Sequence, residues 1–253
     1  MIGALKPKIG LGAKHSGGRG RATLALVVSH LRLNDGPLPV LRGLSFEVVQ
    51  GSITAIIGGA GAGKTALLQI ITGLIRPAAG SVRFRGQELV GLPSHRIYEL
   101  GIAHVAEGRS LFPTLSVREN LELGARADQE PQLDRVLALF PGLAEGLDQD
   151  VGLLSAAKQQ MVTIGRALMA KPDVILFDEP TRGMPRELAR QLFQLIGTLA
   201  TEDMTIILAD QPIRAALRLA DAAHILEQGR VVRSGSGLEL LEQAQGRQAD
   251  QRC

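Results

Sequence analysis

Residues 58–65 read Gly-Gly-Ala-Gly-Ala-Gly-Lys-Thr, an order of residue types suited to holding a phosphate. They fit G-x-x-x-x-G-K-[ST], the P-loop pattern. Gly58, Gly61 and Gly63 let the backbone curl so that its N–H groups point inward at phosphate oxygens. Lys64 supplies a cation for the β- and γ-phosphates, and the Thr65 hydroxyl is a ligand for Mg²⁺. The expected nucleotide-binding set is Gly58, Gly59, Ala60, Gly61, Ala62, Gly63, Lys64, Thr65 and Ala66, with ATP and Mg²⁺ as its ligands.

A second pair of groups, Asp178 and Glu179, ends an apolar run 114 residues beyond Lys64. A carboxylate at the C-terminal end of a strand, beside the P-loop strand, can hold the water shell of Mg²⁺. The next carboxylate can orient or deprotonate the attacking water. An apolar run that ends in two acids is a common strand flank; the P-loop upstream is what turns this one into a candidate site.

The elements that must position these groups show in the hydrophobic pattern. Residues 52–57 read as a buried strand, and residues 66–71 as a helix whose positive end faces the loop. From Ala25 to about Ile57 the pattern predicts short strands and turns. Residues 81–85 alternate like a half-exposed strand, and 101–105 form another apolar strand. Residues 115–170 change character and read as several helices without a strand. Residues 173–178 and 205–208 are buried strands, each followed by a helical pattern, which implies a parallel α/β sheet.

Composition narrows the classes further. A chain of 253 residues can hold one large α/β domain or two small ones. The single cysteine, Cys253, is the last residue, so no internal disulfide forms, which fits a reducing cytosol. No apolar run reaches the ~18 residues that span a bilayer, and no signal peptide is visible. Lys6, Lys8, Lys14, Arg19 and Arg21 lie in a segment without an acid before Asp35, and the rest of the chain is nearly balanced in charge. Residues 1–22 therefore read as a disordered basic leader, and the polar tail after about Glu242 as frayed.

The combination of Gly58–Thr65 with Leu176-Phe177-Asp178-Glu179-Pro180 resembles the ATP-binding cassette ATPase family. The helical stretch between the two motifs and Ile164-Gly165-Arg166-Ala167-Leu168 match as well, so the resemblance covers about residues 25–240. It is nearest to the ATPase subunit of branched-chain amino acid importers. Val105-Ala106-Glu107-Gly108-Arg109, Phe112-Pro113, Val117-Arg118-Glu119-Asn120-Leu121 and Gln159-Gln160-Met161 carry that likeness. The implied fold is α/β: a P-loop NTPase core, mostly parallel sheet flanked by helices, with an N-terminal antiparallel β subdomain and an inserted α-helical subdomain at about 108–170. The implied ATPase domain spans 23–241 and the polar tail 242–253.

The resemblance also implies roles. Lys64 and Thr65 bind phosphate and Mg²⁺, Asp178 holds the metal through water, and Glu179 is the general base. Glu107 stands in the loop that senses the metal and contacts the membrane subunit, and Gln211 stands at the switch position that touches the γ-phosphate. Arg109 and Phe112 are expected permease contacts, with Phe112 buried there. The implied partners are a second, non-identical cassette ATPase, two transmembrane permease subunits and, indirectly, a solute-binding protein. No nucleic acid is expected. The implied location is the cytoplasmic face of the inner membrane, held peripherally.

Three departures from the family pattern stand out. The signature loop, Leu-Ser-Gly-Gly in the family, reads Leu154-Ser155-Ala156-Ala157-Lys158 here. Each alanine adds a Cβ where backbone should meet the partner's phosphate, and restricts any positive φ. No aromatic precedes Phe46, so the adenine-stacking aromatic is missing; its position falls near Asp35. Ala60 replaces a more usual Asn or Ser in the P-loop. The expected function is the ATP-hydrolysing subunit of an importer for branched-chain amino acids or related amino acids or amides, with turnover impaired by its signature loop. A degenerate paralogue with little ATPase activity, a soluble cassette ATPase outside transport and a P-loop kinase remain as alternatives.

Overall fold

The computed structural model describes residues 23–108, 110–127, 130, 132–201, 204–211 and 214–250. The basic leader (1–22), Arg109 and the end of the tail (251–253) lie outside the described residues. The chain begins with β1 (Leu24–Asp35), β2 (Leu38–Val49), β3 (Ile53–Ile57), α1 (Lys64–Ile71), β4 (Ala79–Phe84), β5 (Gln87–Glu88), α2 (Ser94–Glu99) and β6 (Ile102–Val105). There follow α3 (Val117–Glu122), α4 (Leu133–Leu139), two 3-10 segments (Pro141–Gly146 and Val151–Leu153) and α5 (Ala156–Leu168). The last third runs β7 (Val174–Asp178), α6 (Arg186–Ala200), β8 (Thr205–Asp210), α7 (Arg214–Leu219), β9 (Ala222–Glu227), β10 (Arg230–Gly235) and α8 (Gly237–Asp250).

The central sheet has the order β10-β9-β3-β8-β7-β6. All its pairings are parallel except that of β10 with β9. β3, β7 and β8 are buried at every position, because this sheet is covered on both faces. Successive side chains serve different cores. Ile53, Ala55 and Ile57 face one, with Ile175, Phe177, Ile206 and Leu208. Ile56, Val174, Leu176, Ile207 and Ala209 face the other. The first core is closed by α5, α6, α7 and α8 and by the α3–α4 region. The second is closed by α1 and the sheet β2-β1-β4-β5. Fully burying a Leu or Ile side chain contributes about 1.5–3 kcal/mol, so both cores rest on the same three strands.

β7 does not lie beside the P-loop strand β3; β8 separates them. Crossover helices decide strand order in a parallel sheet, and sequence spacing carries little of that information. The segment before Ile57 also differs from the short strands expected. It forms two strands of 12 residues each, antiparallel in sequence register from Leu24↔Val49 to Asp35↔Leu38. An irregularity between Val28 and Leu31, with His30 at φ 50°, resets which side chains face the core. It breaks the period-two pattern that would have announced one long strand.

Two further elements were not anticipated. β9 and β10 form a hairpin closed by Gln228 and Gly229, both left-handed (φ 47° and 75°), as a two-residue turn requires. The tail does not fray at Glu242: α8 continues to Asp250. Leu240 and Leu241 are buried in the first core and anchor the helix, and Glu-Gln-Ala-Gln extends it at low cost in propensity.

Candidate active site

The P-loop sits where β3 gives way to α1, and its neighbours explain its glycines. A Cβ on Gly58 would stand 2.5 Å from the Leu226 carbonyl oxygen of β9. Gly63 has φ 102°, and a Cβ there would stand 2.7 Å from a Leu41 methyl of β2. The loop is therefore wedged between the C-terminal hairpin and the N-terminal sheet. Gly229 in the hairpin turn donates its N–H to the Ala62 carbonyl (3.1 Å), and the Arg42 N–H of β2 reaches the Gly229 carbonyl (2.9 Å). Gly59, Ala60 and Gly61 form the exposed tip, while Ala62 and Lys64 are buried and Thr65 and Ala66 half-buried. α1 begins at Lys64, and its first N–H groups have no acceptor within the helix. Such a terminus attracts an anion.

Lys64 Nζ donates to the carbonyls of Gly58 (2.8 Å) and Gly59 (3.2 Å) and forms an ion pair with Glu179 Oε1 (3.1 Å). Both side chains are at most 8% exposed. Glu179 follows the end of β7 with φ 43°, its N–H held by the Ala209 carbonyl at 2.9 Å. A left-handed non-glycine residue costs on the order of 1 kcal/mol, and such strain collects at functional positions. Glu179 Oε2 accepts from Gln211 Nε2 at 3.4 Å. Thr65 Oγ1 donates to Asp178 Oδ1 at 3.3 Å, so the hydroxyl and the carboxylate meet across the intervening strand.

Glu107, in the loop after β6, is ion-paired with Arg182, whose guanidinium also lies 3.6 Å from Glu179 Oε2. A cleft lined by Glu107, Gln160, Asp178, Glu179 and Arg182 opens beside these groups. Thus Lys64, Thr65, Asp178, Glu179, Gln211 and Glu107 converge at the carboxyl ends of the parallel strands. Burial, aided by the neighbouring Glu107 and Glu179 charges, pushes the Asp178 carboxyl above its ordinary range, and the Thr65 hydrogen bond pulls the other way. Asp178 Oδ2 is buried without a partner. A hydroxyl and a buried carboxylate with an unpaired oxygen are a donor set that fits a hard, oxygen-seeking cation such as Mg²⁺.

Sequence reasoning missed two residues here. Arg182 lies in the turn after Glu179. Asp210 ends β8 as Asp178 ends β7, so the same signal, an acid closing an apolar run, could have found it. Its Oδ1 accepts the Gln211 N–H (2.8 Å), its Oδ2 is unpartnered, and burial raises its pKa to about 6.

The signature-like segment is not joined to Lys64, Asp178 or Glu179 by any hydrogen bond or ion pair among the described residues. Ser155 is the N-cap of α5, its hydroxyl accepting from the Lys158 N–H at 3.4 Å. Ala156 and Ala157 are the first two helical residues, and neither has a positive φ. The expected restriction of φ by alanine therefore has no object here, because plain helical torsions suit alanine. Their methyl groups remain, Ala156 exposed and Ala157 half-buried.

Phe112 is 52% exposed, so it is not a core residue of this chain. Fully buried Asn120 holds its loop: Oδ1 accepts the Phe112 N–H (3.0 Å), and Nδ2 donates to the carbonyls of Phe112, Leu115 and Ser116. Asn120 sits on α3, which starts with a capping box between Ser116 and Glu119. Among the described residues no helix is long and apolar enough to cross a membrane.

The family model described as ABC transporter matches residues 41–182. The chain is 44% identical over 218 residues to the high-affinity branched-chain amino acid transport ATP-binding protein BraG of Pseudomonas aeruginosa, covering 85% of this chain and 94% of that one. It is 36% identical over 219 residues to the probable branched-chain amino acid transport ATP-binding protein LivF of Archaeoglobus fulgidus, covering 84% and 93%. Among solved structures, the ADP conformation of MJ1267, an ATP-binding cassette of an ABC transporter, superposes with a TM-score of 0.77 at 26% identity, covering 87% of this chain and 93% of that one.

Proposed function

Since this chain belongs to the ABC transporter family of ATP-binding cassettes, we propose that it is the ATP-hydrolysing subunit of an importer for branched-chain amino acids or related amino acids or amides. The observation that carries the reading is the convergence of Lys64, Thr65, Asp178 and Glu179 at one edge of the parallel sheet. The relatives named for branched-chain amino acid transport support the substrate class.

The loop N–H groups of residues 59–66 and Lys64 hold the phosphates. Thr65 and Asp178, with Glu107 nearby, would hold Mg²⁺, which when bound would supply positive charge to the phosphate oxygens. Glu179 takes the proton of the attacking water as its oxygen bonds to the γ-phosphorus; the bond to the β-phosphate oxygen breaks and ADP leaves. Gln211 holds Glu179 by Oε2, the oxygen that Lys64 does not contact.

The permease docks on the side of α3. There a groove lined by Leu74, Tyr98, Leu123, Gly124 and Arg166 adjoins exposed apolar side chains, with Leu74 59% and Leu123 56% exposed. The chain pairs with a second, non-identical cassette, and two permease subunits and a solute-binding protein complete the importer. It works at the cytoplasmic face of the membrane.

Vesicles containing the assembled importer test the reading. Glu179→Gln keeps ATP binding but loses ATP-driven uptake of labelled leucine by ~10²-fold or more, since the base is gone, and Lys64→Ala loses ATP binding itself. Uptake at the wild-type rate in Glu179→Gln, or unchanged ATP affinity in Lys64→Ala, overturns the assignment.

A further inference from the structure

Arg182 connects two parts of the site that would otherwise be separate. It lies in the turn after β7, where its N–H donates to the Glu179 carbonyl (3.0 Å) and the Met184 N–H to that of Thr181 (3.0 Å). Gly183, at φ 72°, completes the turn. The turn carries the guanidinium back over the Glu179 side chain. One nitrogen is shared between Glu107 Oε1 and Glu179 Oε2, the latter at 3.6 Å. The three side chains form a gradient of burial: Glu179 is 8% exposed, Glu107 40% and Arg182 61%. Arg182 thus bridges the buried carboxylate to the loop that follows β6.

The two oxygens of Glu179 have different partners. Oε1 faces Lys64 at 3.1 Å, while Oε2 faces Gln211 and Arg182. When phosphate oxygens draw the Lys64 ammonium away, Oε1 loses its cation, and Oε2 keeps both of its partners. Arg182 reaches Oε2 through one nitrogen only, and the same nitrogen is anchored on Glu107, so it acts on Glu179 as a positive charge fixed in place from the neighbouring loop.

We propose that Arg182 is a positioning residue: it holds Glu179 by Oε2 while Lys64 passes to the phosphates, leaving Oε1 free for the water proton, and it ties that carboxylate to the loop of Glu107. A displacement of that loop, on the side where the permease docks, is then felt at the base. The inference rests on the reading of Glu179 given above.

The test uses the full chain in its assembled importer, with Arg182→Ala, Arg182→Lys and Glu179→Gln compared. Arg182→Ala is expected to lower kcat roughly tenfold with KM for ATP within about twofold, because orientation is lost and binding is not. Arg182→Lys, which keeps the charge on a shorter side chain that cannot hold both carboxylates as closely, recovers part of that rate. In the nucleotide-free chain alone, amide hydrogen exchange at residues 106–108 is expected to quicken in Arg182→Ala and to return toward wild type in Arg182→Lys. An unchanged kcat in Arg182→Ala, a change confined to KM, or unaltered exchange at that loop overturns the proposal. The outcomes separate from those of the parent reading: a dead Glu179→Gln beside a fully active Arg182→Ala removes Arg182 alone, and an active Glu179→Gln removes both.

Discussion

At the scale of single residues, the site is a cluster of acids only partly matched by cations. Glu179 is shared between Lys64 and Arg182, and Glu107 has Arg182. Asp178 and Asp210 each keep a buried oxygen without a partner. Asp210 shows the cost most directly. Its folded pKa, about 6, lies above the ordinary 3.8, with burial as the leading cause. Between those values the folded chain holds a proton that the unfolded chain has released, so this group's contribution to stability falls as pH rises through about 4 to 6 and stays low above. Asp210→Asn removes the buried charge and keeps an oxygen for the Gln211 N–H. Thermal melting across pH should show the variant gaining on wild type through that window and holding its advantage at pH 7–8. An advantage equal at pH 4 and pH 8 would refute the account. His104 contributes with the opposite sign: burial lowers its pKa to about 4, so its share of stability is lost as pH falls from 6.5 toward 4.

At the scale of elements, the start of α5 carries the sharpest question. Ala156 and Ala157 occupy helical torsions behind the Ser155 cap, so they suit the isolated helix. If they also face a partner's phosphate, their methyl groups stand where backbone N–H groups must approach. Helix stability and catalytic closure then make opposite demands on the same two positions. Replacing both with glycine should cost up to about 1 kcal/mol each in stability and raise the turnover of the lone chain by tenfold or more, since one well-placed donor to developing charge is worth ~10²–10³ in rate. Melting and steady-state ATPase assays on the purified chain read both effects. A less stable double variant that hydrolyses no faster would show that the alanines do no harm to the composite site.

At the scale of the whole molecule, the central sheet is covered on both faces, and three of the exposed apolar side chains, Leu74, Phe112 and Leu123, lie on the side of α3. Phe112 is exposed on a loop that Asn120 ties rigidly to that helix, with Leu123 at its end. Phe112→Ser should leave the melting temperature of the isolated chain nearly unchanged, within about 0.5 kcal/mol as for other exposed sites. It should weaken co-purification with the permease from detergent-solubilised membranes, because an exposed aromatic anchor is lost. Intact co-purification would place the docking surface elsewhere.

The P-loop, the Asp178-Glu179 pair and the buried strands at 53–57, 174–178 and 205–208 were all legible in the sequence. Each is a local code: glycine torsions at fixed spacing, and apolar runs whose period and length follow from burial on both faces. The S-x-x-E cap at Ser116–Glu119 is a local code of the same kind, but it went unread in the sequence and emerged only in the structure. Local code could not order the strands, so it placed β7 beside β3, where β8 in fact stands. It also missed the two-residue hairpin at Gln228-Gly229 that braces the P-loop, and the extent of α8, which Leu240 and Leu241 anchor from a core built by distant segments. The partners of Glu179 were decided by tertiary structure alone. Lys64 lies 115 positions before it, Gln211 lies 32 after it, and Arg182 lies on the turn that folds back over it. Ion pairing depends on distance in space and on burial. Neither quantity exists until the parallel strands bring their carboxyl ends to one edge.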